Sequence, residues 1–186
     1  MLRTGEIDCA ILAEPFPDTG LAIAPLYDEP FLAAVPSTHP LAQQESISTQ
    51  QLKNETMLLL GAGHCFRDHV LEVCPEFARY ASNAEGIRRS FEGSSLETIK
   101  HMVAAGMGVT LVPRLSVAND ALQSPRRRRS DEPYIRYLPI VEPDGSAPPK
   151  RRVSLVWRRS FTRYEAIAAL RNAIHACKLL GVERLN

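Results

Sequence analysis

The chain has 186 residues, 45% apolar and 23% charged, which is ordinary globular composition at about one domain's length and excludes long disorder. At this size folding should bury roughly 70% of the unfolded surface, enough for a core without disulfide staples or a structural metal. The 22 basic and 21 acidic residues leave a net charge of +1, too weak a field to hold nucleic acid or a membrane surface. The uncharged stretch Met102–Pro113 falls short of the roughly 20 residues that span a bilayer, and Met1 is followed at once by Arg3 and Glu6. With no apolar leader, a cytoplasmic location is expected.

In chain order, Ile7–Ala13 is a nearly continuous apolar run, as expected of a strand covered on both faces. Leu21–Leu26 is a second strand, and Tyr27-Asp28-Glu29-Pro30 should break the chain before a third run, Phe31–Val35. Asp28–Pro30 is therefore a candidate hinge. Met57–Leu60 reads as a buried strand that ends in Gly61-Ala62-Gly63 and leads into a helix from Cys65. Ser94 and Glu97 have capping-box spacing for a helix with Leu96, Ile99, Met102 and Val103 on one face and Gly106 as its stop.

Val109–Val112, Tyr134–Leu138 and Val153–Trp157 are further strands. A last helix starts at Thr162, boxed with Glu165, carries Ile167, Leu170, Ile174 and Cys177, and stops at Gly181. The alternation predicts an α/β chain of two small Rossmann-like lobes, 1–28 with 158–186 and 29–157. Arg126–Arg129 reads as a solvated loop, since four like charges repel and stay wet.

Four cysteines stand at positions 9, 65, 74 and 177. Cys9, in an apolar strand, and Cys177, on an apolar helix stripe, are expected in the core. His64, Cys65, His69 and Cys74 could offer zinc its ligand types, but no CxxC or HxxxH pair organises them. Cys65 follows a glycine turn and opens a helix beside His64, Arg67 and Asp68. A helix N-terminus and a guanidinium favour the thiolate, which is the nucleophilic form; an inert thiol at a turn is the alternative.

Cys74 comes nine residues later, just before Pro75, where the helix should end. A straight helix would hold the two Cα atoms about 13 Å apart and on opposite faces. A disulfide needs roughly 4.4 to 6.8 Å. The pair can bond only if the segment unwinds, so residues 65–74 are a candidate two-state element.

GHCFRDHVLEVC (63–74) and SLETIKHMVAAGMGVTLVP (95–113) resemble the regulatory domain of LysR-type transcriptional regulators, in their peroxide-sensing branch. LRTGEIDCAIL, PLYDEPFLAAV and VSLVWR extend the resemblance over nearly the whole chain. It implies a type 2 periplasmic-binding-protein-like domain in which Cys65 is the peroxidatic thiol and Cys74 the resolving thiol. Gly63, His64, Arg67, Asp68 and, from the end of VSLVWR, Arg158 would surround the peroxide.

The implied partners are hydrogen peroxide, a second copy of the chain in a dimer or tetramer, and glutaredoxin or thioredoxin as reductant. No cofactor is implied. DNA would be read only by a winged helix-turn-helix domain that these residues do not contain. The first strand and helix of the first lobe, with hydroxyl residues of the peroxide pocket, are also expected to be missing, and an insertion is expected between Cys74 and Phe91. Two other functions remain open. One is a LysR-type domain binding a small anionic effector between its lobes; the other is a thiol peroxidase.

Overall fold

The computed structural model describes residues 1–17, 20–75, 90–119 and 134–185. The Arg126–Arg129 run and most of the expected insertion lie outside the described residues. The chain divides into two units, Met1–Pro30 with Lys150–Asn186 and Phe31–Pro149. The expected cuts at 28/29 and 157/158 differ from these mainly over β7 (Lys150–Arg158). That strand falls in the first unit because it pairs with both β1 (Cys9–Ala13) and residues 21–30 of β2 (Leu21–Pro36).

In the first unit β7 runs antiparallel between β1 and β2, and β8 (Glu183–Arg184) pairs antiparallel with Tyr27 and Asp28. A helix, Tyr164–Ala176, supplies Ile167 and Ile174 to a small core with Leu26, Leu155, Cys9 and Trp157. β1 is not the doubly covered strand its apolar run suggested. Among the described residues it pairs with β7 alone, and Ile11 is 52% exposed.

β2 is also a correction. The expected break at Tyr27–Pro30 is absent, and one strand runs through with a register shift between Pro25 and Tyr27. The acidic pair that looked like a loop is accommodated by cations on β7. Asp28 accepts from Arg152 at 2.8 and 3.1 Å and from Lys150 at 2.8 Å, and Glu29 accepts from Arg151 at 2.9 Å. Arg152 first, then Lys150, holds the Asp28 carboxyl down at about 2 against the opposing effect of burial. One of the two boundaries between the units falls between Pro30 and Phe31, one residue after this pair.

The second unit holds the larger core. Residues 31–36 of β2 pair antiparallel with β5 (Thr110–Pro113) on one side and β6 (Ile135–Pro139) on the other. β3 (Met57–Leu60) runs parallel to β4 (Ser90–Gly93) and bonds to Val109 through the Leu58 amide at 2.8 Å. All four β3 residues are buried, as its unbroken MLLL run requires. Gly108 lies so close to Thr56 that an added Cβ would come within 2.4 Å of the Thr56 carbonyl oxygen.

Among the described residues the α-helices are α1 (Thr49–Leu52), α2 (Cys65–Val73), α3 (Leu96–Ala104) and, in the first unit, α4 (Tyr164–Ala176). α3 is capped by Ser95, whose hydroxyl accepts from the Thr98 amide at 3.1 Å, one residue later than the expected Ser94. The expected box partner Glu97 instead pairs with Lys100 at 3.1 Å. α3 gives way at Gly106, whose φ of +78° suits the left-handed turn. α4 begins after Arg163 rather than Thr162, with no side-chain cap, and ends before Cys177 rather than running to Gly181. Cys177 is exposed there, its Sγ donating to the Ala173 carbonyl at 3.3 Å, so it is not the core residue expected. Cys9 is half-buried against its core.

Candidate functional site

β3 ends at Leu60, and Gly61-Ala62-Gly63 turns the chain into α2. Gly63 has a φ of +93°, a conformation open to glycine and costly for any residue with a Cβ. His64 is the N-cap residue, extended and exposed, with no side-chain cap bond. Cys65 is the first helical residue and is exposed. It therefore sits among the amides that have no carbonyl partner within the helix, at the positive end of the helix dipole.

Arg67 folds back onto the preceding strand, its Nη1 donating to the Leu60 carbonyl at 2.9 Å. That bond ties the first turn of α2 to the end of β3. Asp68 is exposed in the same turn. The buried face of α2 is Phe66, His69 and Val70, at the three- and four-residue spacing that seats a helix on a core.

The other end of α2 is Cys74, 0% exposed, in the C-cap position with its amide donating to the Val70 carbonyl at 3.0 Å. None of the four cysteines is in a disulfide. The helical spacing expected between Cys65 and Cys74 is thus present, with one sulfur carrier at the solvent and the other in the core. Among the described residues no three His, Cys, Asp or Glu side chains come together as a metal site, so His64, Cys65, His69 and Cys74 are not gathered around one point.

The structure brings Gly63, His64, Cys65, Arg67 and Asp68 into one turn of chain. Arg158 stands in the first unit. Its Nη1 donates to the carbonyls of Leu2 and Ile7, both at 2.8 Å, Asp8 lies 3.6 Å away, and Phe161 lies under the guanidinium. Sequence reasoning missed Phe31, whose ring meets Phe66 edge to face at 5.4 Å and lies 6.3 Å from the His69 ring. Sequence reasoning also took His69 only as a metal-ligand type and did not read Phe66 and His69 as one buried face, and their partner lies 35 and 38 residues earlier in the chain.

The LysR substrate binding domain family model matches residues 1–177. The "DNA-binding transcriptional dual regulator OxyR" of Escherichia coli K12 is 37% identical over 170 residues, covering 90% of this chain and 50% of the relative. The chain thus spans about half the length of the curated relatives it matches. A reduced form of OxyR from N. meningitidis matches with a TM-score of 0.84 at 35% identity, over 100% of this chain and 79% of that one. The oxidised form of OxyR matches with a TM-score of 0.66 at 34% identity, over 94% of this chain and 74% of that one. The fold is therefore the type 2 periplasmic-binding-protein-like α/β fold of two lobes. No helix among the described residues is long and apolar enough to cross a membrane. The chain belongs to the LysR substrate binding domain family and, within it, is similar to the OxyR regulatory domains.

Proposed function

We propose that this chain is the hydrogen-peroxide-sensing regulatory domain of a LysR-type regulator, switched by a reversible bond between Cys65 and Cys74. The observation that carries this reading is the placement of two thiols at opposite ends of one nine-residue helix, Cys65 exposed and Cys74 buried. The Cys65 thiolate attacks one peroxide oxygen, the O–O bond breaks, and hydroxide leaves with Cys65 as sulfenic acid. The Cys74 sulfur then attacks the Cys65 sulfur, the S–O bond breaks, and water leaves. Because the helix holds the sulfurs apart, the second step opens α2, and that opening is the output.

In this reading Gly63 shapes the turn that presents Cys65, Arg67 fixes that turn to β3, and His64 and Asp68 line the approach of peroxide. Arg158 enters on resemblance alone, since its guanidinium is held by the Leu2 and Ile7 carbonyls. The domain reacts once per signal, without a cofactor, and is not a peroxidase. Glutaredoxin or thioredoxin resets it. It acts as a homo-oligomer, and promoter recognition belongs to a winged helix-turn-helix domain outside these residues.

Trypsin cuts after Lys53, Arg67 and Arg79, which places Cys65 and Cys74 in separate peptides, 54–67 and 68–79. One equivalent of peroxide should link them into a species two hydrogens lighter than their sum. Oxidation that leaves these peptides unlinked, or that joins Cys65 to Cys9 or Cys177, would remove the reading.

A further inference from the structure

Phe31, Phe66 and His69 form a ring cluster inside the second unit. Their exposures are 2%, 8% and 4%, the Phe31 and Phe66 planes meet at 75°, and the Phe66 and His69 rings lie 6.5 Å apart. Two of the rings stand on α2 and the third on β2. The cluster thus fastens the helix that carries both cysteines to the strand that opens the second unit.

Phe66 and His69 fall inside the loop that a Cys65–Cys74 bond would close. They reach Phe31 together only because three helical steps bring them to one face of α2. Melting the helix removes that spacing, and both rings cannot stay on Phe31. From this geometry we infer that the Phe31–Phe66–His69 cluster is a latch: it stabilises the reduced helix, does nothing for the disulfide form, and sets how readily Cys74 condenses with oxidised Cys65. The inference rests on the switch proposed above.

The latch acts on one step only. Cys65 is already exposed, so attack on peroxide needs no movement of α2. Attack of Cys74 on the sulfenic sulfur, with loss of water, does need it. Weakening the latch should therefore speed closure of the disulfide and leave sulfenic acid formation alone. A purely structural role in the core would lower stability without separating the two steps.

The test uses the full chain carrying Phe31→Leu, which keeps apolar bulk and removes the ring contacts, and separately His69→Gln, which leaves the Phe31–Phe66 pair in place. Sulfenic acid formation, read with a dimedone-type probe in a Cys74→Ser background, should stay within about twofold of the unsubstituted chain. Closure after a peroxide pulse should accelerate about threefold to tenfold, the size expected for aromatic ring contacts. Equilibrium against dithiothreitol should shift toward the disulfide by the same factor, a potential lower by about 15 to 30 mV. If Phe31→Leu fails to fold, His69→Gln carries the test. Unchanged closure and potential in a folded variant, or equal changes in both steps, would overturn the latch. If the unsubstituted chain forms no Cys65–Cys74 bond, the switch itself fails.

Discussion

Cys65 opens α2 at the protein surface and Cys74 closes it in the core, with the Cys74 amide bonded to the Val70 carbonyl at 3.0 Å. The two residues are thus held apart by a structure whose own hydrogen bonds must break before they can meet. Each such bond is worth on the order of 1 kcal/mol net. A redox reaction can supply that readily, because about 30 mV in a two-electron couple corresponds to 1.4 kcal/mol.

With Cys74→Ser, oxidation should stop at a Cys65 sulfenic acid that a dimedone-type probe captures. Cys65 should label faster than the other thiols, since Cys9 is half-buried and the Cys177 Sγ–H is engaged by the Ala173 carbonyl. Peptide-resolved mass spectrometry at short peroxide exposure checks this, and comparable labelling of Cys177 would count against Cys65 as the reactive thiol.

Gly63→Ala should cost about 1 to 2 kcal/mol, because a φ of +93° is strained for any residue with a Cβ. It should also slow sulfenic acid formation, since the turn that strains is the one presenting Cys65. Gly20→Ala, at a φ of +77° with nothing within 4 Å of the added Cβ, is the matched control. It should lose similar stability by denaturant unfolding and leave the Cys65 rate unchanged.

The strand, turn and helix that carry Cys65 were legible because their signals are local. MLLL is apolar throughout, two glycines follow, and Pro75 stops the helix just after Cys74. β2 was not legible, because what keeps Asp28 and Glu29 in a strand is the triplet Lys150-Arg151-Arg152, more than 120 residues away. The same limit hid Phe31 as a partner of α2. β1 looked doubly covered because an apolar run reports residue type and not which neighbours arrive. Cys177 continues the helical stripe by count, but α4 ends one residue earlier and the side chain turns to solvent.

Asp28 gives a pH prediction for the first unit. Its carboxyl is 3% exposed and is lowered from 3.8 to about 2, chiefly by Arg152. A depressed folded value means the pairing stabilises fully above about pH 4 and is lost as pH falls toward 2, a contribution of about 2 kcal/mol. Asp28→Asn should therefore lower stability by about that amount at pH 7. The gap to the unsubstituted chain should narrow between pH 4 and 2 in urea titrations. A gap of constant size across that range would contradict the assignment.

Hydrogen exchange at the amides of His69 through Cys74, compared before and after one equivalent of peroxide, tests the switch most directly. In the reduced chain these amides are bonded within α2 and at its cap, and they should exchange slowly. After oxidation they should exchange at least about tenfold faster, corresponding to roughly 1.4 kcal/mol of lost protection, while those of Lys100 to Ala105 in α3 and at its cap change little. Equal protection of His69 through Cys74 in both forms, with the Cys65–Cys74 bond confirmed by mass, would show that the bond closes without opening the helix and would contradict the account.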